Sequence, residues 1–182
     1  MNEQLLIGNT LEETAYHEAG HIVVASALGL ALRPQGIEIY ETPECLTDGF
    51  ACYWEDYEAE DVLAALRAGE MAQVRQFPES CVLGSIPDGQ HLAQAIRICF
   101  GQERFREFRD RIDARTCELL DSRWPTVVAV AEAVVQSDWI PVEGHQQFTR
   151  KKHVDGHALV NVLKECGISA HVRSDESQDN GG

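Results

Sequence analysis

The stretch AYHEAGH, residues 15–21, places His17 and His21 four residues apart with Glu18 between them. On a helix of 3.6 residues per turn the two imidazoles stand one above the other, so both can bind a single zinc ion. Glu18 projects beside them. There its carboxylate can take a proton from a water whose pKa zinc lowers to about 7, and later deliver that proton to a leaving amine. These residue types at this spacing suit a metallopeptidase.

A catalytic zinc site needs a third protein ligand and an open position for water. The long pattern HExxHxxGxxH is ruled out, because Val24 and Ala27 stand where its glycine and third histidine belong. Glu70, in RAGEMAQ, is a downstream carboxylate of the kind a second helix supplies. His91, in PDGQHLAQAI, is its rival, and Asp88 three residues earlier can share the same helical face or cap the helix. Spacing alone leaves His91, Asp88 and Glu70 open. A second histidine pair, His153 and His157 in HVDGH, has no glutamate after its first histidine and sits beside Arg150, Lys151 and Lys152, so it is not expected to hold a metal. The six cysteines contain no CxxC pair, which excludes a zinc ribbon; they are expected to be mostly buried thiols in a reducing compartment.

The elements that must position these groups follow from the pattern. Thr10 and Glu13 form a capping box that starts a helix carrying the motif in its middle and ending at Gly29. Gly20, inside the motif, points to close approach of another backbone or of substrate. Residues 37–40 and 50–54 are β-prone runs around a turn, predicting an antiparallel pair, which either aligns a peptide by edge pairing or simply covers the helix. Trp54 and Tyr57 beside it are expected to pack on that pair or to line a groove. A second helix is predicted over residues 59–76, with the acidic run before it as a solvated face, and a third over 88–100. Residues 102–122 and a segment beginning at Trp124-Pro125 are expected to form two helices packed as a hairpin. A last helix near 154–166 closes at Gly167.

Together AYHEAGH, the short hairpin, the small-residue AGEMAQ helix and a loop entering a helix of the form DLxxA resemble the peptidase domain of the FtsH-type ATP-dependent zinc metalloproteases, and CELLDSRW followed by VVAVAEAVV is similar to its C-terminal helices. The resemblance covers about residues 10 to 148. It implies a mainly α, helical fold with a small antiparallel hairpin between the metal-binding helix and the following helices. It also implies Zn2+ as cofactor, peptide-bond hydrolysis with Glu18 as the catalytic base, and a third ligand at the aspartate of DLxxA. Here HLAQA puts His91 in that place, giving His17, His21 and His91, with Asp88 beside the metal or itself the ligand if the register slips. The family also carries an ATPase module, whereas no glycine in this chain is followed by lysine and no phosphate loop is present. Substrates are therefore expected to be unfolded or flexible polypeptides, with a separate unfoldase or protease as partner; the alternative is a non-proteolytic metal-binding adaptor or regulator.

The chain has 182 residues and a formal net charge of −15, a field that repels a polyanion and excludes broad phosphate-driven nucleic-acid binding. The longest apolar run, residues 22–32, falls well short of the roughly 20 residues a bilayer span needs, and the N-terminus has no secretory pattern. A cytoplasmic protein is expected, and homo-oligomerisation is left open. The expected organisation is a metallopeptidase-like domain over residues 1–150, a helical appendage over 151–172 and a disordered tail over 173–182.

Overall fold

The first helix, α1 (Leu11–Ala27), begins where its capping box predicts: the Thr10 hydroxyl accepts from the Glu13 amide at 3.3 Å, and the Glu13 carboxylate accepts from the Thr10 amide at 2.7 Å. From Thr14 to Ser26 every residue but Tyr16 is buried, so α1 is a central helix enclosed on all sides. The computed structural model describes residues 9–80 and 86–174, and only the helical backbone of residues 86–89 and 91.

Around α1 stand β1 (Leu32–Glu41), β2 (Thr47–Tyr53), α2 (Ala59–Gln76), α3 (Ile86–Phe100), α4 (Phe105–Gln136), β3 (Ile140–Pro141), β4 (Arg150–Val154) and α5 (Gly156–Glu165). The fold is mainly helical, with one four-stranded antiparallel sheet in the order β2-β1-β4-β3. The predicted hairpin is β1–β2, in which Ile37 pairs with Ala51 and Glu41 with Thr47. α1 packs against α2, α4 and this hairpin. Among the described residues no helix is long and apolar enough to cross a membrane.

Gly20 marks the crossing of α1 and α2. A Cβ there would lie 2.6 Å from the Ala68 carbonyl oxygen and 2.7 Å from the Ala72 Cβ, so the close approach is that of the α2 backbone. Gly20→Ala is expected to destabilise the protein. Its gain of about 1 kcal/mol in helix propensity is outweighed by overpacking of roughly 1–3 kcal/mol against a backbone oxygen that cannot swing aside. A lower denaturant midpoint at unchanged m-value is the expected observation; a raised midpoint would mean that the two helices separate freely.

Several expectations change. Residues 102–136 do not form a helical hairpin: after a single 3-10 turn (Gln102–Arg104), α4 runs unbroken through Pro125. Proline removes the bond to the Asp121 carbonyl, but Leu120 before it and Val127, Val130, Ala131 and Val134 after it bury in one core, and that packing holds the helix together. The segment 151–172, expected as a helical appendage, contributes a strand to the sheet and side chains to the core. β4 pairs with β1 from Ile37↔Val154 to Glu41↔Arg150, and Leu159, Val160, Leu163, Ile168 and Ala170 lie in the same core as α1. Arg173, placed in the tail by composition, is docked: its amide donates to the Leu32 carbonyl and its carbonyl accepts from the Trp54 indole. Residues 175–182 lie outside the described residues. Finally, of the five described cysteines, Cys45, Cys99 and Cys117 are exposed and Cys52 and Cys166 half-buried.

The acidic start of α2 is not merely solvated. Glu60 pairs with Arg111 and Asp61 with Arg115, while Arg67 bonds Asp113, so a row of ion pairs lies along the α2–α4 contact. Trp54 and Tyr57 serve packing: Arg33 and Arg173 stack on the Trp54 ring, and the Tyr57 hydroxyl accepts from the Ala31 amide at 3.0 Å.

Candidate metal centre

His17, Glu18 and His21 are each only 5% exposed, in the middle of α1. Three polar side chains at that depth need partners, because burying them unpaired is costly. For the histidines the partners come from α2. The His17 Nδ1 donates to the Gln73 Oε1 at 3.1 Å, and the His21 Nδ1 donates to the Ala65 carbonyl at 2.8 Å. A neutral imidazole carries one proton; with that proton on Nδ1, the coordinating lone pair lies on Nε2.

The two Nε2 atoms turn toward the same spot. A Cβ built on Gly69 would lie 2.3 Å from the His21 Nε2 and 2.7 Å from the His17 Nε2, and the rings stand 4.8 Å apart, nearly edge to face. Gly69 thus leaves a space above α2 on which both nitrogens converge. Ala65, Ala68, Gly69 and Ala72 recur at helical spacing along the buried side of α2, and these small residues let α1 approach closely enough for the contact.

Glu18 faces the sheet. A Cβ on Gly49 of β2 would come within 2.8 Å of the Glu18 Oε1 and 2.9 Å of its Cγ, so the carboxylate lies directly against a bare stretch of strand. The strand is pinned there by threonines: Thr14 and Thr47 share a hydrogen bond of 2.7 Å, and the Thr47 amide donates to the Asn9 carbonyl at 3.0 Å. Cys52 lies farther along β2. Burial raises its pKa, the negative charge of Glu38 adds to the shift and Glu18 adds less, with Arg33 opposing them.

Glu70 follows Gly69 directly but is committed elsewhere: its carboxylate forms an ion pair with Arg67, whose guanidinium also holds Asp113 at 2.7 Å. Among the described residues no three His, Cys, Asp or Glu side chains come together as a metal-binding group. The side chains of His91 and Asp88 lie outside the described residues. The α3 backbone that carries them runs alongside the same stretch of α2, since Leu92 and Ala93 line a small pocket with Arg67 and Glu70. His153 and His157 stay apart from this site: the His153 Nε2 bonds the Gln35 carbonyl at 2.9 Å, and Asp155 between them caps α5.

The sequence singles out the two histidines and the glutamate but not what orients them. Gln73 was the one position with a signal, a lone amide after a run of small residues on one helical face. The Ala65 carbonyl belongs to the backbone and leaves no mark in residue type, and the bare Cα atoms of Gly49 and Gly69 have meaning only in the folded chain.

No model of a known protein family matches the chain, and no curated protein matches it. What the chain does has therefore to be argued from this geometry.

Proposed function

We propose that the chain is a zinc-dependent metalloendopeptidase-like protein with an FtsH-type peptidase fold, hydrolysing flexible or unfolded polypeptide without an ATPase module of its own. The observation that carries this reading is the convergence of the His17 and His21 Nε2 atoms over Gly69, each with its Nδ1 proton bonded to an oxygen. Residues that only fill a core have no reason to face two imidazoles into one space kept clear of a Cβ. The arrangement fits a zinc ion chemically: nitrogen donors of the right tautomer, with their second nitrogens held by acceptors.

His17 and His21 would hold the metal, with His91 as third ligand and Asp88 as its nearest substitute. When bound, zinc polarises a carbonyl and brings the pKa of a water near neutrality. The chain's own part falls to Glu18. Its buried carboxylate, fixed against Gly49, accepts a proton and returns it to the departing amine. β2, beside Glu18 and at the end of the sheet, offers an extended substrate an edge to pair with.

Zinc in the purified protein is expected at one equivalent per chain and is expected to fall on His91→Ala. Cleavage of an unfolded protein substrate should stop on chelation and return with added zinc. Absence of zinc from both purified and zinc-supplemented protein overturns the proposal; unchanged zinc in His91→Ala overturns that ligand and directs the same measurement to Asp88→Ala. A second reading rests on the histidine that stands where the family's aspartate would be. In that reading the chain is a metal-binding adaptor or regulator of a separate protease, and stoichiometric zinc without cleavage of any unfolded substrate favours it.

A further inference from the structure

The geometry points to Gln73 as the residue that sets which nitrogen of His17 carries the proton, and hence which nitrogen is presented to a metal; the inference rests on the metal-centre reading above but is tested without it. Gln73 is 0% exposed, and its oxygen and both of its amide hydrogens have named partners. Its Oε1 accepts from the His17 Nδ1 at 3.1 Å, and its Nε2 donates to the Asn9 Oδ1 and to the Ser80 Oγ, both at 3.1 Å.

The two ends of this amide are not equivalent. If it turned over, its NH2 would face the His17 Nδ1 and its oxygen would face the Asn9 Oδ1. The first contact would hold the lone pair on Nδ1 and so move the ring proton to Nε2, the nitrogen that points toward Gly69. The second would set acceptor against acceptor in a buried place, forfeiting a hydrogen bond and adding repulsion. Ser80 is indifferent, because a hydroxyl can rotate to donate or accept. With Asn9 presenting its Oδ1, as it does here, that contact favours the orientation of Gln73 in which its oxygen faces His17, and that orientation favours the Nδ1–H tautomer.

The consequence reaches beyond one ring. Asn9 lies at the entry to α1, where its backbone bridges to Thr47 of β2, and Ser80 lies just past the end of α2. One buried amide thus joins the start of the metal helix, the strand beside Glu18 and the end of the helix that carries Gly69. By contrast, the tautomer of His21 is set by a backbone carbonyl in mid-helix, which no side-chain substitution removes. His17 is the adjustable half of the pair, and Gln73 is a positioning residue that acts through it.

The test is the nitrogen and carbon NMR signature of the His17 ring in the metal-free full chain, together with zinc affinity. The wild type should show the Nδ1–H tautomer. Gln73→Met, which fills the space but cannot accept, should shift the ring toward Nε2–H and weaken zinc binding about 10–100-fold, the range seen when an outer partner of a ligating histidine is lost. Gln73→Glu, which keeps an acceptor facing His17 but gives up the bond to the Asn9 Oδ1, should keep the Nδ1–H tautomer and lose less zinc affinity than Gln73→Met. A wild-type ring protonated at Nε2, or affinity retained in Gln73→Met, overturns the inference. So does equal loss in both variants, which would make the role one of packing. Should Gln73→Met fail to fold, the wild-type and Gln73→Glu tautomers decide the matter by themselves. The tautomer is read without metal, so a protein that binds no zinc at all refutes the proposed function while leaving this measurement standing.

Discussion

Gly69→Ala is expected to lower zinc affinity by at least about 100-fold while leaving the fold in place, although it removes no ligand. A β-carbon there would sit 2.3 Å from the His21 Nε2 and 2.7 Å from the His17 Nε2, closer than non-bonded atoms approach. The rings cannot both retreat, because each is tied to α2 at its far nitrogen, His21 to a backbone oxygen at 2.8 Å. One imidazole must break that bond and turn away. Loss of an outer partner alone weakens a metal site about 10–100-fold, and here the convergence of the donors is lost as well. Stability should change far less. Alanine gains about 1 kcal/mol over glycine within a helix, which offsets much of the displaced hydrogen bond, worth about 1 kcal/mol. The measurement is zinc affinity by competition with a chelating dye, alongside thermal unfolding of the metal-free protein. Unchanged affinity in a folded Gly69→Ala protein would falsify the placement of the metal between these two nitrogens.

That prediction rests on a residue the sequence could not single out. The motif helix was legible because its signals are local: a cap at Thr10, two histidines at helical spacing and a stop at Gly29. α2 was equally legible, and its predicted limits, 59 and 76, are the observed ones. Reading failed where tertiary contact overrides the local pattern. Pro125 is a sound local reason to end a helix, and only the shared burial of Leu120 and Val127 carries α4 past it. Residues 150–154, Arg-Lys-Lys-His-Val, have the composition of an exposed charged segment, yet they form an inner strand. Arg150 and Lys151 reach Glu41 and Glu38 on β1, and the nearly buried Lys152 directs its ammonium to the Val135 and Ser137 carbonyls at the end of α4. A partner more than a hundred residues away leaves no periodicity to read. The same holds at the site: residue types named the donors, but Gln73, the Ala65 carbonyl and the bare Cα of Gly69 became visible only when α1 and α2 were seen to cross.

Glu18→Gln separates metal binding from turnover. Glutamine has nearly the shape of glutamate, so it fits the same narrow space against Gly49, where the Oε1 lies 2.8 Å from the site a Cβ would occupy. Zinc content and thermal unfolding should therefore match the wild type. What the substitution removes is the ability to accept a proton at that oxygen and hand it on. General acid–base participation of this kind contributes about 10²–10⁴-fold to rate, so cleavage of an unfolded substrate is expected to fall by that factor with little change in KM. The prediction is sharp because Glu18 is buried and hemmed in. Glu38, the next acid along the chain after Glu18, is engaged by Lys151 and Tyr40. Equal rates for the two proteins, at equal zinc content, would show that Glu18 is not the base and that the observed hydrolysis belongs to other residues or to a contaminant. Loss of zinc from Glu18→Gln would instead give the glutamate a part in building the site.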